Sequence, residues 1–217
     1  PGLSYAATYD GSPIVPSAIG AYLVSATITD PGYTPAATSA IHKIASTLAA
    51  GGNGGTPYAR YCGAGVFANG FGVSPPNNSL WSAQLLCSDA AHPATFGNTD
   101  TPPFNTPDTV LACPAGEIMV GARAIYGEVA GFGTGDFMIA VAPRCQLPTG
   151  GAITEPFAPA PGTPGGVSQN VVLDCPASQG VAGVLGGAGS IVDSLALVCS
   201  PVVAIASVSP AGNVSGS

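Results

Sequence analysis

Apolar residues fall in short alternating runs separated by glycine and proline. The alternation of Tyr22, Val24, Ala26 and Ile28 fits a strand buried on one face, and Asp30-Pro31-Gly32 fits the turn that follows. Ala37 to Ile44 reads as the next strand. Further along, three apolar runs each close on a cysteine: Leu80 to Cys87, Met138 to Cys145, and Leu195 to Cys199. A last strand-like run, Pro201 to Ser209, follows directly. Long helices are not expected, because Gly and Pro recur too often. Only Thr38 to Ala50 would tolerate a helical turn or two.

The cysteines turn this pattern into a repeat. They stand at 62, 87, 113, 145, 175 and 199, in pairs 25, 32 and 24 residues apart. Aligned on the first Cys of each pair, Cys62-Gly63-Ala64-Gly65, Cys113-Pro114-Ala115-Gly116 and Cys175-Pro176-Ala177-Ser178 share Ala two places on. Each also has Gly eight places on, at Gly70, Gly121 and Gly183. Each copy reads as a turn out of one strand, a short strand ending at that Gly, a loop, and a final strand whose Cys returns near the first. Six cysteines allow fifteen connectivities. Repeat symmetry favours the local one: Cys62–Cys87, Cys113–Cys145 and Cys175–Cys199. No Cys-x-x-Cys occurs, and His42 and His92 lie away from the pairs, so zinc ligation is disfavoured.

Composition narrows the setting. Of 217 residues, 31 are Gly and 22 Pro; four are Lys or Arg and eleven Asp or Glu, for a net charge of −7. Charged residues make up 7%, against about 25% in an average soluble domain. Four dispersed cations cannot neutralise a row of phosphates, which excludes nucleic-acid binding. The most apolar stretch, Ile191 to Val208, is broken by Asp193, Ser200 and Pro201, so no membrane span is expected. An even number of cysteines with two sequons, Asn77-Asn78-Ser79 and Asn213-Val214-Ser215, points to a secreted, extracellular or cell-surface chain. With no initiator Met, the sequence reads as a processed piece of a longer product.

Two resemblances organise these segments. The threefold unit, with Cys113-Pro114-Ala115-Gly116-Glu117-Ile118-Met119-Val120-Gly121 opening a copy and Gly189-Ser190-Ile191-Val192-Asp193-Ser194 leading to a closing strand, resembles secreted β-prism proteins. Vitelline membrane outer layer proteins and jacalin-type lectins share that architecture. The lectin resemblance implies sugar binding by a Gly-x-x-x-Asp-like loop before the closing strand, and only the third copy has such an Asp, Asp193; Trp81 and Ile139 stand there in the other two. Residues 1 to about 45, with Tyr5-Ala6-Ala7-Thr8-Tyr9-Asp10-Gly11 and Gly20 to Tyr33, resemble the second half of the MBG-type repeat of bacterial surface proteins.

The expected fold is therefore all-β. Residues 1–48 form a partial β-sandwich or grasp-like module, and 49–201 a β-prism-like body of three Greek-key-like units (about 58–88, 108–146 and 170–200). Residues 202–217 form a strand-like tail. A half-domain leaves an open sheet edge, and the tail, through Val202, Val203, Ile205 and Val208, is expected to pair with the amino-terminal sheet within or between chains.

Catalytic motifs are missing: no Gly-x-Ser-x-Gly, His-Glu-x-x-His or phosphate loop occurs. No cofactor is expected, Ca²⁺ being the one ion that the scattered carboxylates leave open. Aromatic rings in glycine-rich loops suit stacking on sugars. The candidates are Trp81, Tyr126, Phe132 and Phe137 with Asp136, Asn77 or Asn78, and Asp193; the competing reading puts Trp81, Phe67, Phe71 and Phe137 in the prism core. Two non-enzymatic functions follow: a self-assembling subunit of a bacterial surface fibre, sheath or layer, and, as the alternative, an adhesin that binds cell-surface glycans.

Overall fold

In a computed structural model the residues described are 5–13, 20–29, 37–63, 65–74, 79–91, 94–97, 109–132, 134–157 and 168–202. No helix occurs among them. The amino-terminal strands are β1 (Tyr5–Tyr9), β2 (Gly20–Ile28) and β3 (Ala37–Ser46). Then come β4 (Ala50–Gly51), β5 (Thr56–Tyr61), β6 (Ala68–Ser74), β7 (Ser82–Cys87), β8 (Phe96–Gly97) and β9 (Thr109–Ala112). The remainder are β10 (Ile118–Glu128), β11 (Asp136–Gln146), β12 (Ser168–Asp174), β13 (Gln179–Ala188) and β14 (Ser194–Pro201). The segment from Thr38 to Ala50, where a helical turn was tolerable, is thus extended as β3 and the start of β4.

Three sheets result among the described residues. Each is centred on an antiparallel hairpin from one Cys-to-Cys segment: β6–β7, β10–β11 and β13–β14. Outer strands come from the segments between. β8 and β9 flank the first hairpin, β12 the second, and β4 and β5 the third, while Thr154 bridges Cys145 on the free side of β11. The structure links Cys62 to Cys87, Cys113 to Cys145, and Cys175 to Cys199. Loops of this length each stabilise by roughly 3 kcal/mol in the chain-entropy model.

The shared small residues have specific causes. After each leading Cys comes a turn closed by a backbone bond: Val66 N–H to Gly63 O (2.9 Å), Glu117 N–H to Pro114 O (3.0 Å), and Gln179 N–H to Pro176 O (3.1 Å). Its third residue is left-handed in every copy: Gly65 at φ +72°, Gly116 at +86°, and Ser178 at +63°. The Gly eight places after Cys does not end its strand, contrary to the expectation. The strand runs on through a bulge there, between Ala68 and Gly70, Met119 and Gly121, and Val181 and Gly183. At each of these glycines a flanking strand passes close: a Cβ would stand 2.1 Å from Leu111 O at Gly70, 2.7 Å from Leu173 O at Gly121, and 2.8 Å from Arg60 O at Gly183.

The sheets meet on a common core that includes Phe71, Leu85, Met119, Met138, Val184, Leu195 and Leu197, all fully buried. At one end the three units are tied by a closed ring of backbone hydrogen bonds. Leu80 N–H donates to Met138 O (2.8 Å), Met138 N–H to Val192 O (2.9 Å), and Val192 N–H to Leu80 O (2.9 Å). Each of these residues stands seven places before its closing Cys. The ring therefore marks the pseudo-threefold axis.

The amino-terminal strands extend the third sheet, in the order β1-β2-β3-β14-β13-β5. The joint between β3 and β14 is short: Val198 faces Ser46 and Cys199 faces Ala45. Thr47 strengthens it, its N–H donating to Leu197 O (2.9 Å) and its Oγ1 accepting from Leu197 N–H (3.0 Å). Within the described residues it is β14 that meets β3. Val202 donates its N–H to Ser178 O (2.9 Å), and Val203, Ile205 and Val208 of the expected assembly strand lie outside the described residues.

Candidate functional site

Asp193 sits where the β13–β14 hairpin closes, one residue beyond the axial ring. Its backbone is fixed on both sides. The N–H donates to Gly187 O (2.9 Å), and the carbonyl accepts from Gly52 N–H (3.0 Å). Gly189 N–H closes the turn on Ile191 O (2.9 Å). The residue is only 7% exposed.

What surrounds its carboxylate is the run Gly51-Gly52-Asn53-Gly54-Gly55, at the other end of the prism sequence. A Cβ at Gly51 (φ +97°) would lie 2.2 Å from Asp193 O. At Gly54 it would lie 2.6 Å from Oδ1, and at Gly55 (φ +77°) 2.3 Å from Oδ2. Only bare backbone fits this closely, so the glycines form a cradle around both carboxylate oxygens. The run was missed in the sequence because it precedes the first Cys and falls outside the repeat. Its signal was four glycines in five residues at a domain boundary.

Burial holds the Asp193 carboxyl above the ordinary aspartate range, and a hydrogen bond from its own backbone works the other way. No ion pair to Asp193 exists among the described residues. The Arg60 guanidinium is turned to backbone carbonyls, with Nε donating to Ala94 O (3.0 Å). Arg123 and Arg144 are occupied elsewhere, clamping Glu155 at 2.8 Å each. Beneath the cradle, Tyr58 donates its hydroxyl to Ser194 O (2.8 Å) and stacks on Phe96 with ring centroids 4.4 Å apart. A carboxylate partly withdrawn from water without a cation is disfavoured in its charged form. Neutral hydroxyl donors suit it, because its two oxygens can accept from a pair of adjacent O–H groups.

The other predicted positions divide. Trp81 and Phe137 are half-buried and lie outside the main core, whereas Phe71 is central to it and Phe67 half-buried. Trp81 meets Phe132 edge-on (6.4 Å, 82°), and Phe132 lies 6.0 Å from Phe137. Asp136 is exposed, and its carbonyl oxygen packs on Gly52, where a Cβ would stand 2.3 Å away. Tyr126 is apart from this group, partly packed on the core with its hydroxyl donating to Gln169 Oε1 (2.8 Å). Asn77 and Asn78 lie outside the described residues. Among the described residues no group of three or more His, Cys, Asp or Glu is placed to hold a metal ion.

Comparison with known proteins agrees with this architecture. The chain is similar to the agglutinin of Calystegia sepium, at 15% identity and a TM-score of 0.51, over 73% of this chain and 95% of that one. The fold is the β-prism of jacalin-like lectins. Artocarpin, solved in complex with mannotriose, is similar at 14% identity and a TM-score of 0.50, over 71% of this chain and 96% of that one. Frutapin, a lectin from Artocarpus incisa, matches at 14% and 0.50, over 72% and 96%. Residues 1–46 match the MBG domain family. No curated protein matches the chain.

Proposed function

We propose that the chain is a non-enzymatic carbohydrate-binding protein of the cell exterior, with the Asp193 carboxylate accepting hydrogen bonds from neighbouring hydroxyls of one sugar residue. The observation that carries this reading is the cradle: Asp193, 7% exposed as a residue, with its carboxylate walled by Gly54 and Gly55 and no ion-paired cation among the described residues. Support at the level of fold comes from the lectins above, one of them solved with mannotriose. Three disulfides suit an extracellular setting. The glycan reading is favoured over a fibre subunit because it uses the buried charge, which assembly leaves unexplained.

Calorimetric titration of the full chain with mannose and mannotriose tests it. Saturable binding is expected, with loss in Asp193→Asn, a substitution that keeps the shape and removes the charge. Equal binding by the variant would refute the assignment.

A second reading rests on β1, which has a ladder partner on one side only among the described residues. Strand addition there by another copy would array the prism bodies. Sedimentation across a concentration series is expected to show association, and a strict monomer would rule it out.

A further inference from the structure

The axial ring relates three positions that differ in chemistry. One residue beyond Leu80, Met138 and Val192 stand Trp81, Ile139 and Asp193. Ile139 is buried, at 3% exposure, in a small cluster with Ile125 and Val129. Trp81 is not absorbed in this way, yet its backbone setting repeats that of Asp193. Gly97, at φ +100°, faces Trp81 O so closely that a Cβ would stand 2.1 Å away; Gly51, at φ +97°, faces Asp193 O at 2.2 Å. The ladders also correspond, with Ser82 opposite Gly97 and Ser194 opposite Gly51. The first unit thus rebuilds the backbone of the Asp193 site and presents an indole in place of a carboxylate.

One ring, Phe132, meets this indole edge-on, and Phe137 lies beyond Phe132 with one side packed on the Ile125, Val129 and Ile139 cluster. Phe132 is held in a turn by its N–H to Val129 O (3.1 Å) and remains 37% exposed. Phe137 follows Asp136, the residue whose carbonyl packs against Gly52 in the cradle loop. The aromatic group is thus joined to the cradle through the backbone of Asp136, and Trp81, Phe137 and Asp193 each stand one residue from the ring.

We propose that Trp81, Phe132 and Phe137 form a second subsite, which takes the C–H face of the sugar adjoining the one held by Asp193. The ligand class is then an oligosaccharide rather than a lone monosaccharide. This deepens, and rests on, the carbohydrate reading of the Asp193 site. The chemistry is complementary: one subsite takes hydroxyl donors on a charge, and the other takes an apolar sugar face on flat rings.

Trp81 is the sole tryptophan of the chain, so its emission reports on the subsite alone. Mannose and mannotriose are titrated into wild type, Trp81→Ala and Phe132→Ala, by calorimetry throughout and by fluorescence where Trp81 is present. Mannotriose is expected to bind wild type roughly tenfold more tightly than mannose and to shift the emission to the blue. Phe132→Ala, a change at an exposed ring that leaves the core intact, is expected to reduce that advantage several-fold with mannose affinity unchanged. Trp81→Ala is expected to abolish it. Mannose binding with no mannotriose advantage, or saturation by mannotriose with the emission unmoved, overturns the subsite and leaves the Asp193 reading standing. Binding of neither sugar overturns both.

Discussion

Replacing Gly54 with alanine separates the cradle's role in binding from its role in folding. The added Cβ would meet Asp193 Oδ1 at 2.6 Å, with the next atom, Cγ, at 3.4 Å. An ordinary carbon–oxygen contact needs about 3.4 Å, so the carboxylate oxygen must retreat by about 0.8 Å. A sugar hydroxyl bonded to Oδ1 at about 2.8 Å would then be stretched past 3.5 Å, beyond hydrogen-bond range. Losing one charge-assisted bond costs about 1.5–3 kcal/mol, or about 10- to 100-fold in Kd. The fold, by contrast, should hardly notice. Gly54 does not have a positive φ, so alanine there gains about 0.4–1 kcal/mol through the unfolded chain, against a small cost for moving a side-chain tip. Gly55→Ala is the control for damage, since its φ is +77° and its Cβ would stand 2.5 Å from Ala188 N and 2.7 Å from Ala188 C. Calorimetry with mannotriose and thermal melts of both variants provide the assay. Gly54→Ala is expected to melt within about 3 °C of wild type and to bind at least tenfold more weakly, whereas Gly55→Ala melts well below. Wild-type affinity in Gly54→Ala would refute the argument that Asp193 Oδ1 contacts ligand.

Two further outcomes follow from the same geometry. Burial raises the Asp193 pKa in the folded chain, so its charged form opposes folding: this destabilisation is absent below the unfolded value of about 3.9, grows from there up to the folded value, and is fully present above it. Melting at neutral pH should therefore rise in Asp193→Asn. Sugar binding, which needs the ionised form, should weaken on acidification from a higher pH than an ordinary aspartate would give; a flat binding profile from pH 7 to pH 3 would contradict this. At the turn after each leading Cys, Ser178 holds the left-handed conformation that Gly116 holds freely. Gly116→Ala, whose Cβ meets nothing within 4 Å, should cost about 1 kcal/mol from conformation alone. Ser178→Gly should be neutral to stabilising by up to about 1 kcal/mol, and a clear loss in its melting temperature would show that the Ser side chain contributes there.

Much of the prism was legible because its instructions are local. A turn after the leading Cys and a Gly at the eighth place recur in each unit, and each has a nearby physical cause. What the Gly at 70, 121 and 183 does was misjudged, because a bulge is defined by the neighbouring strand and not by its own sequence. The candidate site was half legible. Asp193 could be placed from its loop, but its partners could not, since the third sheet is closed by β4 and β5 from the far end of the prism sequence. Their contribution is bare backbone, which carries no chemical signature in a chain already rich in glycine. Trp81 was singled out as an aromatic and also as the counterpart of Asp193; the axial ring is what joins those two facts.

The short joint between β3 and β14 has a mechanical consequence. Tension on the amino-terminal sheet passes into the prism at Val198 and Cys199. Cys199 is cross-linked to Cys175, just ahead of β13. A load entering there is therefore shared by both arms of the third hairpin at its base, while Asp193 stands at the opposite, closed end. The disulfide clamps the hairpin at its base, but the chain also runs from Ser46 through Thr47 to β4, so strain on the amino-terminal sheet has a covalent path to the glycine cradle and to the Gly52 bond that fixes Asp193.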